Sequence, residues 1–204
     1  IFLQDAQLEQ GLVATDYIET TTTTGKAGIL ENTPRFDYSG GATCPSLLLE
    51  PSRTNLVPYS EDFSQWPVIN STILVNNIIS PDGTLNAARI TATLTGDGAF
   101  VRNTTAPQTT STTYSFSCFV KKGTTNFVRL ANRAIGGPTT ASAWFDIENG
   151  VVGTLGSDLS SSKIEDFGNG WYRCSITVIT NIINVVFNGF PTSSNATYSG
   201  DGVS

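Results

Sequence analysis

From residue 68 onward the chain repeats one phrase: a short run of β-branched and aromatic residues, then a cluster of Gly, Pro, Asn or Asp. Runs of this form are strands, because branched and aromatic side chains suit a pleated surface and the intervening residues suit turns. They predict strands at 1–9, 68–79, 86–94, 98–105, 112–121, 125–133, 141–148, 162–167, 170–180 and 183–190. No long segment carries a 3.6-residue apolar period; Ser60-Glu-Asp-Phe-Ser-Gln-Trp66 predicts one helical turn capped by Ser60. Many short antiparallel strands with no helices between them imply an all-β chain, an antiparallel jelly-roll β-sandwich. With 204 residues, 39% hydrophobic, there is enough apolar material for one good core.

The segment ahead of this body reads differently. Residues 12–58 hold five consecutive threonines ending at Gly25, then Pro34, Gly40-Gly41, Pro45, Pro51 and Pro58. Such punctuation predicts an extended N-terminal arm unable to build a core alone. Phe36, Tyr38 and Leu47-Leu-Leu49 need cover, so the arm is expected to lie along a surface. The expected division is 1–58 for the N-terminal strand and connecting arm, and 59–204 for the sandwich.

Several function classes are disfavoured by what the chain lacks. Without a single His there is no imidazole base, Ser-His-Asp or Cys-His system, and few routes to a zinc site. A net charge of −6 with scattered basic residues argues against nucleic acid as a partner. No apolar run approaches the roughly 20 residues of a membrane span, and no basic-then-apolar leader opens the sequence. Met is absent, so the chain is expected to be a processed form, a fragment or a repeat cut from a longer protein.

Candidate chemical groups each carry a plain alternative. Cys118 and Cys174 fall on inward positions of two strands; they are buried thiols, or a bridge if their Cα atoms come within about 7 Å, and Cys44 is left over. Asp97 and Asp201 sit in Gly-Asp-Gly turns, which serve hairpin geometry or contribute to a structural calcium site. Tyr59, Trp66 and Trp144 are candidate glycan-stacking rings, or packing residues, since Trp144 or Phe145 must face inward. Glu61-Asp62, Asp146/Glu148 and Glu165/Asp166 form no evident catalytic couple, so no catalytic residues and no other cofactor are expected. Lys121-Lys122 ends a strand, where edge protection accounts for it.

The stretches PRFDYSGG, SLLLEPSRTNLVPYSEDFSQW, GNGWYRCSITV, YSGDGVS and IFLQDAQLEQGLVATDYIETT resemble a domain widespread in bacteriophage tail and virion structural proteins. The resemblance implies a jelly roll like those of carbohydrate-binding modules, with GNGWYR as a late strand. It also implies that a GDG turn leads into an apolar closing strand ending in AQLE-x-G. Here that strand stands first, at Ile1 to Gly11, so relative to the family the chain is circularly permuted. A sandwich lacking one strand leaves a row of unpaired backbone groups beside an apolar groove. Ile1, Phe2, Leu3, Ala6 and Leu8 are the residues expected to fill it, in a neighbouring copy, in a preceding repeat, or in the same chain folded back. The leading expectation is a non-enzymatic structural subunit of a fibre or of a virion or extracellular assembly, joined head to tail to copies of itself. The alternative is a carbohydrate-binding module of a phage tail protein that engages surface glycans.

Overall fold

The computed structural model describes residues 1–10, 14, 16–27, 36–37, 46–47, 53–93, 100–103, 111–132, 141–180 and 185–190. Cys44, Asp97 and Asp201 lie outside them. In chain order the strands are β1 (Phe2–Gln10), β2 (Gly25–Ala27), β3 (Phe36–Asp37), β4 (Ser46–Leu47), β5 (Arg53–Asn55), β6 (Val68–Ile69), β7 (Ser71–Ile78) and β8 (Ala87–Ala92). They continue as β9 (Phe100–Asn103), β10 (Thr112–Lys121), β11 (Phe127–Asn132), β12 (Ser142–Asp146), β13 (Val151–Leu155), β14 (Leu159–Asp166), β15 (Trp171–Thr180) and β16 (Val185–Phe190). Among the described residues one 3-10 turn, Phe63–Gln65, interrupts them.

Two antiparallel six-stranded sheets pack face to face as a β-sandwich. One runs β14-β15-β10-β1-β8-β7 and the other β13-β12-β11-β16-β9-β6. Two small two-stranded pairs, β2 with β5 and β3 with β4, accompany them. Period-two patterning decides what lies between the sheets. Phe116, Cys118 and Val120 of β10, and Cys174, Ile176 and Val178 of β15, meet Val128 and Leu130 of β11 and Ala143 and Phe145 of β12. Each fully buried Val, Leu, Ile or Phe contributes about 1.5–3 kcal/mol before ordering entropy. The opposite face of the first sheet is held by polar cross-strand pairs. Ser115 and Thr177 hydroxyls lie 3.0 Å apart, and Arg173 donates to Ser117 Oγ at 3.2 Å with its guanidinium over the Phe119 ring.

Three local expectations are corrected by the structure. β13 was not anticipated from the sequence; Gly153 interrupts its apolar pattern, although the Asn149-Gly150 turn before it is a hairpin signal. Gly150 has φ +66°, and a Cβ there would meet the Tyr172 ring at 2.8 Å. The 3-10 turn is capped by Asp62, whose Oδ1 accepts from Ser64 N at 3.1 Å, and not by Ser60, which is buried elsewhere. Lys121 lies on an interior strand, where no edge needs protecting; its ammonium donates to Asn169 O at 2.6 Å and tethers the turn before β15. Lys122 pairs with Glu148.

Candidate functional site

The N-terminal strand occupies an interior position of the first sheet, between β10 and β8 of its own chain. Its pairing with β10 is broken by one inserted residue. Leu3 faces Val120 and Gln4 faces Phe119, but Gln7 faces Ser117 and Leu8 faces Phe116. The insertion is Asp5, at φ +53°, a value Asp tolerates better than most residues. This bulge explains how Ile1, Leu3, Ala6 and Leu8 all reach the core although strict alternation would send Ala6 and Leu8 to the other face. Phe2 points the other way and packs with Ala87, Phe119 and Trp171.

Beyond the bulge, β1 has no strand on the side where β8 paired with Phe2 and Leu3. Residues 55–60 supply the partner there. Ala6 N donates to Ser60 O at 3.0 Å, and Leu56 N donates to Leu8 O at 2.8 Å. Between them the fully buried Asn55 amide acts as a peptide group: Oδ1 accepts from Leu8 N at 3.1 Å and Nδ2 donates to Ala6 O at 3.1 Å. The same amide accepts from Val57 N and donates to Ile18 O, so both its ends are used twice.

A second layer of bonds ties residues 16–20 to Gln7 and to residues 57–61 along this seam. Gln7 accepts from Ile18 N at 2.7 Å and donates to Glu9 and to Asp16 O. Thr20 N donates to Ser60 Oγ and Thr20 Oγ1 donates to Val57 O, while Ser60 returns bonds from N to Thr20 Oγ1 and from Oγ to Thr20 O. Tyr17 bonds Ser60 Oγ at 2.6 Å and donates to Glu61 at 3.3 Å. Gly25 permits the turn back, since a Cβ there would sit 2.5 Å from Glu19 O.

Electrostatically the seam is acidic. Asp5 is only 6% exposed, and burial pushes its carboxyl up to about 7, helped by Glu61, Asp82 and Glu19 and opposed by the 2.7 Å bond from Gln4 Nε2. Burial also raises Glu61 and Tyr17. Gln4 Oε1, beside this carboxyl, is buried without a hydrogen-bond partner. A protonated Asp5 supplies the donor that this geometry lacks.

The candidate glycan rings sit as follows. Trp66 is 3% exposed, stacked 4.9 Å from Phe63 with Nε1 donating to Tyr59 O. Trp144 is 6% exposed under the Arg129 guanidinium, while Phe145 takes the inward position. Neither indole offers an open face to a sugar, and Tyr59, at φ +55°, is half-buried against the core. The carboxylates weighed as couples serve turns and ion pairs. Asp146 accepts from Glu148 N and Asn149 N, Asp166 from Gly168 N, and Glu165 from Lys163. Among the described residues no group of three His, Cys, Asp or Glu is placed to hold a metal, and no helix is long and apolar enough to cross a membrane.

Fold and seam together define a class, an all-β sandwich of two antiparallel sheets with its N-terminal strand at the middle of one sheet. No protein-family model, curated protein or solved structure matches the chain.

Proposed function

We propose that this chain is a non-enzymatic structural subunit of a fibre, virion or extracellular assembly, linked to copies of itself by donation of its N-terminal strand. The observation that carries the reading is the interior position of β1 between β10 and β8. Without β1, both neighbours expose backbone groups along an apolar slot, a surface that captures any matching strand. The slot is filled by pegs, Ile1, Leu3, Ala6 and Leu8, and by main-chain bonds. These contacts are the same whether the strand comes from its own chain or from a copy. Exchange therefore changes only connectivity, and head-to-tail exchange builds rings or open fibres.

The seam extends the exchangeable unit past β1. Gln7 holds Asp16 and Ile18, which follow it closely in sequence, so residues 1–20 travel together. The exposed Thr21 to Thr24 then form the hinge.

The test mixes two preparations, a chain lacking residues 1–20 and a synthetic peptide of residues 1–20, and follows capture by size-exclusion light scattering. Capture in trans, with intact chain forming multimers at high concentration, supports the reading. An intact chain that stays at monomer mass at all concentrations, including after refolding at high concentration, overturns it.

A further inference from the structure

Beside β1 in the same sheet, the unbroken ladder of β10 and β15 sets Cys118 opposite Cys174. Residues directly opposite in antiparallel strands have Cα atoms about 4.5 or 5.5 Å apart, both within the roughly 4.4–6.8 Å that disulfides span. Directly opposed side chains share a face, and both thiols lie fully buried in the core between the sheets. Both are free. Cys118 Sγ donates to Gln4 O of β1 at 3.1 Å and lies 3.3 Å from Phe119 O, so it leans toward the N-terminal strand.

We propose that Cys118 and Cys174 are an oxidisable pair that closes to a cross-strand disulfide between β10 and β15, next to β1. The electron acceptor is a small-molecule disulfide such as glutathione disulfide. One cysteine loses its proton, and its thiolate attacks a sulfur of the reagent, breaking that S–S bond and releasing one small thiolate. The second cysteine, likewise deprotonated, attacks the protein-bound sulfur, forming the Cys118–Cys174 bond and releasing the second thiolate. Two protein thiols are oxidised, one reagent disulfide is reduced to two thiols, and the two protons end on the products.

Placement sets the rate of this chemistry. Burial pushes both thiols well above their usual range, so the resting pair is inert. Cys118 lies beside Gln4 of the neighbouring strand and faces the layer between the two sheets, so reagent reaches it when β1 leaves the sheet or the sheets part. Closing the bond also removes the S–H donor from Gln4 O, and β1 then returns with one contact fewer. The pair is built from β10 and β15 alone and does not depend on whether β1 is exchanged.

The test uses the full chain carrying Cys44→Ser, so that these two thiols stand alone. The protein is equilibrated with glutathione disulfide, both folded and by refolding from denaturant in the same buffer, then quenched by alkylation, digested and mass-analysed. The expected result is a linked Cys118–Cys174 peptide, loss of both thiols, and a higher melting temperature than the reduced sample. Folding of the variant is checked against the wild-type chain, in which denatured thiols fall from three to one. Free thiols after oxidative refolding, stable glutathione adducts on either cysteine, or disulfide-linked dimers would each overturn the proposal. Slow reaction in the folded sample and fast reaction on refolding is the pattern expected of a pair buried between the two sheets.

Discussion

At the scale of single residues, Asp5 and Asn55 carry the seam, and each gives a prediction. The Asp5 carboxyl is held up at about 7 in the fold against an ordinary value of 3.8. The folded protein therefore binds this proton more tightly than the unfolded chain, and stability falls as pH rises from about 4 to about 7, then levels off. Glu61 shifts in the same direction. Asp5→Asn keeps an acceptor for Gln4 Nε2 and offers a donor to Gln4 Oε1, so it should flatten this slope and stabilise the protein at pH 8 by about 2–4 kcal/mol. Urea midpoints at pH 5 and pH 8 check this; equal gains at both pH values would contradict it. Asn55→Ala strips partners from Leu8 N, Ala6 O, Ile18 O and Val57 N at once. It should cost at least about 3 kcal/mol in the same assay. Neither role is legible in the sequence. Asn55 stands among prolines with no periodic signal, and its role exists only when residues 6, 8, 18 and 57 are brought around it.

Elements were easier to read. Alternation placed Tyr114, Phe116, Cys118 and Val120 on one face, and the structure packs those four toward the core. The strands expected at 112–121 and 170–180 coincide closely with β10 and β15. Alternation fails where a strand departs from period two. β1 hides a parity change at Asp5, and β13 is short and carries Gly153. Deleting Asp5 removes the inserted residue and leaves one regular strand in which Gln4 still faces Phe119, Gln7 still faces Ser117 and Leu3, Ala6 and Leu8 keep the core face, so the shortened chain should fold with a cooperative unfolding transition. Leu3→Ala, which keeps the bulge, should cost about 2–5 kcal/mol, whereas Leu74→Ala on the exposed edge strand β7 should stay within about 0.5 kcal/mol. Denaturant unfolding of the three variants separates the contribution of the bulge from that of a simple cavity.

For the molecule as a whole, the proposed strand exchange would give closed and exchanged forms with the same contacts, so their populations would depend on concentration and history more than on contact energy. Refolding at high protein concentration should yield multimers that persist on dilution, because separation requires pulling out β1 with its arm. Light scattering of samples refolded dilute and concentrated, then brought to one concentration, checks this; identical masses would contradict it. Sandwich architecture was readable from the cadence of strands, but which chain fills the slot is a property of topology that no local pattern encodes. The bulge at Asp5 has a last effect at this scale. An evenly pleated strand shifted by two residues still presents the correct faces, so it can settle at several axial positions. An inserted residue works like a detent in a sliding bolt: only one position lets Leu3 and Leu8 seat together. A filament assembled through such a strand would carry one repeat distance along its whole length, set by a single aspartate in each joint.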